Sequence, residues 1–263
     1  MEITIRKSNP TYDLYDHQKE ALSALNLVFK QNKNFKGIVC IPTGGGKTHT
    51  AVVWAYQKFL NKQLPVIWIA HRQELISQAA ESFVKNAYSC YCNDRNTINV
   101  RMVSAEHEDF ADITGSEDVL IISNFTFANR ADEICAKFQN KGVKEVLLVI
   151  DEAHHAVART YRTTIDAVFT KFNATLIGLT ATPYRTLEEE RGAMHKVFFN
   201  DIIYKVGLNT LIARGILSEP LLSEIETKID FREEASAFTQ NGNLVSEIKI
   251  PDRISDKLSS LLD

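Results

Sequence analysis

The chain has 263 residues, 44% hydrophobic and 24% charged, the balance of a folded protein with one large core and a smaller appendage. A net charge of -3 excludes a generally polybasic nucleic-acid binder but leaves room for a few local phosphate donors. No apolar run approaches bilayer length, and residues 1–13 lack the apolar centre of a secretion signal, so a cytoplasmic location with no membrane partner is expected.

An amphipathic helix is predicted first, over residues 16–30, followed by a strand at 37–41 and a glycine-rich turn. A helix at 48–60 is apolar nearly all round and so should be buried. After a strand at 65–70 comes the clearest helix, 72–87, with Leu75, Ile76, Ala79, Ala80, Phe83, Val84 and Ala87 on one face. Further strands are expected at 98–104, 118–123, 145–150, 174–180 and 202–206. Apolar runs alternating with helical stretches predict an α/β fold, a mostly parallel sheet with helices on both faces. Beyond residue 206 the pattern loosens. A short helix stopped by Gly215, a strand at 221–229, a polar loop at 231–247 and an amphipathic piece at 252–262 are expected. Of the four cysteines, Cys40 and Cys135 sit in apolar segments and should be buried. Cys90 and Cys92 form a lone C-x-C without a second pair at zinc spacing, which favours reduced thiols.

The sharpest motif is Pro42-Thr43-Gly44-Gly45-Gly46-Lys47-Thr48, placed between a strand and a helix. Successive glycines let the backbone curl around an anion with its N–H groups turned inward. The following helix adds the positive end of its dipole. Thr43, Gly44, Gly45, Gly46, Lys47 and Thr48 are therefore assigned to nucleotide binding, with Lys47 on the β- and γ-phosphates and the Thr48 hydroxyl on Mg²⁺. The second motif is Leu147-Leu148-Val149-Ile150-Asp151-Glu152-Ala153-His154, an apolar strand that delivers two adjacent carboxylates at its C-terminal end. Asp151 suits the metal shell and Glu152 suits activation of a water, while solvated loop acids are the plain alternative. His155 is expected to pack rather than to take part in chemistry.

Together PTGGGKT, DEAH and Thr180-Ala181-Thr182-Pro183 resemble, in order and spacing, three motifs of superfamily 2 helicases and translocases. DEAHH, GLTATPYR and LIARGILSEP are similar to the branch containing restriction-enzyme motor subunits, including type III restriction Res-like proteins. The resemblance covers about residues 14–220 and implies a RecA-like P-loop NTPase domain, ATP and Mg²⁺ as ligands, and nucleic acid as partner, DNA by analogy with these motors. It implies that Gln18 reads adenine, although Tyr15 stands where the family usually has arginine. It also implies that Lys47, Asp151 and Glu152 carry catalysis, and that His154 couples through Thr180 and Thr182. Arg72 is implied to hold the nucleic-acid backbone, with Asn124 and Thr126 as further contacts; an ordinary helix cap is the alternative for the latter segment.

Such a motor needs a second RecA-like domain to supply an arginine finger. Arg185 and Arg191 lie on the same half as the glycine loop and do not replace it. Residues 1–210 are thus expected to form the first RecA-like domain, and 211–263 a connector or the start of an incomplete second domain. A fragment completed in cis is favoured over a short subunit completed in trans, and the isolated chain should be weak or inactive. A nucleotide-dependent binding switch without productive turnover is the competing reading. A P-loop kinase or GTPase is disfavoured because no acceptor site or guanine-reading Asn-Lys-x-Asp stretch is present.

Overall fold

The central strands are nearly uninterrupted aliphatic runs because both faces of the sheet are covered. In chain order they are β1 (Glu2–Thr4), β2 (Lys36–Cys40), β3 (Val66–Ala70), β4 (Thr97–Val103), β5 (Val119–Ser123), β6 (Glu145–Asp151), β7 (Asn173–Thr180) and β8 (Ile202–Lys205). The computed structural model describes residues 1–104, 109–182, 197–198 and 202–220. Apart from Pro220, these belong to one unit, Met1–Glu219. The expectations at 221–229, 231–247 and 252–262, and those on Arg185 and Arg191, fall outside the described residues.

The eight strands form one sheet in the order β1-β4-β5-β3-β6-β7-β2-β8. All neighbours run parallel except β1, which joins β4 antiparallel at the edge. Alternation along β3 divides the interior. Trp68 and its neighbours on that face join residues from α1 (Asp16–Gln31), α2 (Lys47–Lys58) and α3 (Gln73–Lys85). Ile67 and Ile69 point the other way, toward α4 (Asn124–Asn140) and α5 (Arg159–Lys171). The result is the three-layer α/β arrangement expected from the pattern.

Helix α2 is as buried as its composition implies, with Thr50 through Tyr56 all inside. On α3 the buried stripe is Ile76, Ala79, Ala80 and Phe83, whereas Val84 is exposed because the helix has rotated it past the sheet. A short helix at Leu208–Ala213 ends before Gly215, which takes the left-handed conformation. Cys40, Cys92 and Cys135 are buried, Cys90 is exposed, and all four thiols are free. Among the described residues no helix is long and apolar enough to cross a membrane.

Parallel pairing gives the sheet one consequential edge. The segments following β2, β3, β5, β6 and β7 all emerge from the same, C-terminal rim, where open α/β sheets place ligands.

Candidate active site

At the tip of β2 the chain turns through Pro42–Gly46 into α2. Gly44 and Gly46 have φ of +81° and +84°, a region in which L side chains are strained, so the turn depends on glycine at both positions. Gly45 is constrained differently: a Cβ there would lie 2.6 Å from Ile41 Cγ2 and 2.9 Å from Leu211 Cδ1. The loop is held from below by His17, fully buried, whose Nε2 lies 2.7 Å from the Gly45 carbonyl. A carbonyl only accepts, so this contact assigns the ring proton to Nε2. Gln18, also buried, abuts Gly46; its Oε1 accepts the Tyr15 backbone N–H at 3.0 Å. Tyr15 stacks on His17 while remaining 55% exposed.

Two positions away in the sheet, with β7 between, β6 ends in Asp151. Gly178 of β7 lets the next turn settle onto the sheet, since a Cβ there would sit 2.7 Å from Ala153 Cβ. Asp151 is 1% exposed, and burial pushes its carboxyl up from 3.8 to about 6 against the opposing influence of Lys47. Glu152 adopts φ +52°, a conformation that costs a non-glycine residue on the order of 1 kcal/mol. Its side chain faces the glycine loop, and Lys47 Nζ lies 3.0 Å from Glu152 Oε1. The two motifs therefore close on one another.

A further chain of contacts leads from this pair. His154 Nδ1 lies 3.3 Å from both Glu152 Oε2 and Thr180 Oγ1. The Thr180 hydroxyl donates to the Thr182 carbonyl at 2.9 Å and accepts the Thr182 N–H at 3.2 Å. Thr180 thus faces His154 as an acceptor, as does the carboxylate, which assigns the proton to His154 Nδ1. The His154 ring contacts His155 at 4.2 Å between centroids, and His155 contacts His71 at 4.7 Å. His71 immediately follows β3, and burial, then His155 and Arg72, hold its ring below the ordinary histidine range.

Farther along the rim Arg72 caps the start of α3 and is exposed. Asn124 turns inward instead. It is 6% exposed, its Nδ2 donates to Thr160 Oγ1 at 3.0 Å, and its Oδ1 accepts from Thr164 Oγ1 at 3.3 Å. The Thr126 hydroxyl is 2.7 Å from Ser123 Oγ, which also accepts the Thr126 N–H. The side chain that projects from this turn is Phe125, 73% exposed. Ala70 and Ser123 are register partners, so the segments carrying Arg72 and Phe125 start from the tips of adjacent strands.

Thr43, Gly44, Gly45, Gly46, Lys47, Thr48, Gln18, Asp151, Glu152, His154, Thr180 and Thr182 therefore all lie on the glycine loop or the elements bordering it. Sequence reasoning missed His17, Phe125 and the His71–His155 contact. His17 was within reach, one residue before Gln18, but nothing local signals that a ring will meet a carbonyl 28 residues away.

The donor set fits a magnesium–triphosphate group. Left-handed glycines at a strand–helix junction, a lysine paired with a strand-tip acid, and a buried carboxyl beside that acid, raised to about 6, belong together.

Comparison with known proteins identifies the family. A family described as "Type III restriction enzyme, res subunit" matches residues 11–185. IRC3 of Saccharomyces cerevisiae, named as an ATP-dependent helicase, is 26% identical over 235 residues, covering 85% of this chain and 30% of that protein. The type I restriction enzyme EcoAI endonuclease subunit of Escherichia coli is 24% identical over 225 residues, 80% of this chain and 24% of its own length. The chain thus spans less than a third of either relative. Among solved structures, the ATP-dependent Type ISP restriction-modification enzyme LlaBIII bound to DNA superposes with TM-score 0.55 at 15% identity, over 78% of this chain and 16% of that one.

Proposed function

Since this chain belongs to the res-subunit family of type III restriction enzymes, we propose that it is the ATP-binding part of a DNA-dependent helicase or translocase ATPase. In this reading it hydrolyses ATP with Mg²⁺ and couples turnover to movement along nucleic acid once a second RecA-like domain completes the site. The observation that carries the reading is the 3.0 Å ion pair between Lys47 and Glu152, which unites the phosphate cradle with the strand-tip acids.

The residues divide the work as follows. Backbone N–H groups of Gly44, Gly46 and Lys47 take the phosphate oxygens, the Gly45 N–H being held by the Pro42 carbonyl at 2.9 Å, and Lys47 exchanges Glu152 for the β- and γ-phosphates. That exchange frees the Glu152 carboxylate to orient a water and accept its proton. Thr48 and Asp151 would hold Mg²⁺, which when bound supplies charge neutralisation at the phosphates. Gln18 offers its amide to the adenine edge, and His17 fixes the loop that carries the phosphates. His154 senses the change at Glu152 and passes it to Thr180 and Thr182, while exposed Arg72 takes a backbone phosphate of the track. The relative bound to DNA supports DNA as that track.

The test is Mg-ATP turnover by the native gene product with and without DNA or RNA, for wild type and Glu152→Gln. DNA-stimulated turnover that collapses in Glu152→Gln is the expected result. Equal rates in both proteins would leave the nucleotide-dependent switch as the better account.

A further inference from the structure

Between His154, beside Glu152, and Arg72, the proposed contact to the track, lie two rings. From the β7 tip the order of contacts is Thr180, His154, His155, His71, with Arg72 next in sequence. β3 and β6 are paired in register as far as Ile69 and Ile150, so His71 and Glu152 follow the tips of neighbouring strands. We propose that His155 and His71 are positioning residues: their imidazoles form a polar relay that reports the state of the Glu152–His154–Thr180 cluster to the Arg72 segment. This rests on the reading of Arg72 as a nucleic-acid contact and deepens it.

Two features distinguish a relay from simple packing. First, His154 is fixed at one end by two acceptors 3.3 Å away, so any change in the Glu152 carboxylate must turn or shift this ring. The His155 ring lies against it at 43° and the His71 ring against His155 at 59°, so the three rings move as neighbours rather than through solvent. Second, His71 Nδ1 is buried without a hydrogen-bond partner among the described residues. An unmatched buried nitrogen costs about 1–3 kcal/mol, which favours a second arrangement of the ring in which that atom is matched. A short element with two arrangements, biased from both ends, is the physical requirement for coupling between sites.

The experiment measures the affinity of the native gene product for a fluorescent, non-hydrolysable ATP analogue with and without a saturating short DNA duplex. The reciprocal measurement, duplex affinity with and without the analogue, must give the same factor. Wild type is expected to show coupling of about 5–150-fold. H71F and H155F keep the ring volume and remove the nitrogens. Each should bring the factor to within about twofold of unity while leaving each ligand's affinity in the absence of the other near wild type, with the Tm of H71F at or above wild type because the unmatched nitrogen is gone. H71Q, which restores a polar atom, should recover part of it. Wild-type coupling in both phenylalanine variants would overturn the relay and leave the motor reading intact. Absence of coupling in wild type itself, with single-stranded and duplex DNA alike, would overturn both.

Discussion

Two strand tips on the same rim, those of β5 and β6, are built in opposite ways. At the β5 tip the polar side chains of Ser123, Asn124 and Thr126 are satisfied within the chain. Ser123 caps α4 through the Thr126 N–H, and Asn124 spends both ends of its amide on Thr160 and Thr164 of α5. At the β6 tip the chain accepts cost. Asp151 is buried with a carboxyl raised to about 6, Glu152 holds a left-handed backbone, and its carboxylate is balanced by a lysine from another loop. Polar residues at a strand end look alike in sequence. What separates them is whether the fold satisfies them, and satisfied groups are architecture while unmet charge points to a ligand.

The largest effect that would break this contrast is at Glu152. On the proposed role, replacing it with glutamine removes the carboxylate that would activate the water, and turnover should fall by about 10²–10⁴-fold. Lys47 also loses its competing partner, so affinity for ATP should rise by several-fold, checked by equilibrium binding. Unchanged turnover together with weaker nucleotide binding would mean that the ion pair is only structural.

Asp151 tests the same contrast through stability. Its carboxyl is raised from 3.8 to about 6 by burial. Between those values the folded chain holds a proton that the unfolded chain has released, so this group's contribution becomes less favourable as pH rises across that window. Above it the penalty is complete, on the order of 1–3 kcal/mol. Asp151→Asn should therefore raise thermal stability at pH 7 while abolishing Mg-ATP binding, and its stabilising effect should fade as pH falls toward 4 (the 3.8 end of the window). Mg-ATP affinity of the wild type should weaken as pH drops below about 6, because the cation then competes with a proton. A stability loss in Asp151→Asn at pH 7 would contradict the assignment.

Asn124 carries the opposite expectation. Asn124→Ala removes two hydrogen bonds that tie α4 to α5 and leaves Thr160 and Thr164 unmatched, for a loss of about 1–3 kcal/mol measured by denaturant unfolding. Its DNA affinity should stay near wild type, whereas Arg72→Ala should weaken DNA binding with little change in stability.

Much of this was legible in the sequence, for identifiable reasons. β2, β3, β5, β6 and β7 are covered on both faces, so burial writes itself as uninterrupted aliphatic runs such as Val66–Ala70. The meeting of Lys47 with the strand-tip acids followed from motif order, because parallel strands deliver their ends to one rim. The three-residue β1 was not legible, since its pairing partner β4 lies almost a hundred residues away and leaves no local trace. α5 escaped bounds because threonines and charges dilute its apolar stripe to Tyr161, Ile165 and Val168. α4 bends at Arg130, where φ is -128°, and this breaks its period. The inward turn of Asn124 was hidden for the same reason as β1: its partners are distant in sequence, 36 and 40 residues on.

The smallest predicted effect is also the one that separates contact from proximity at the β5 tip. Ser123 Oγ accepts the Thr126 N–H at 3.1 Å, one of the orphan donors that every helix start must satisfy. Ser123→Ala should cost about 1 kcal/mol of stability, within the usual range for losing such a cap. Ser123→Asp is the sharper variant, because a carboxylate caps as well and also suits the positive end of the α4 dipole. Its stability should match or exceed wild type. If the nucleic-acid backbone passes over Arg72 and Phe125, the added negative charge will weaken DNA binding, and the deficit will shrink at high salt as screening increases. Wild-type DNA affinity in Ser123→Asp at low salt would move the track away from the β5 tip and leave Arg72 as its marker on this rim.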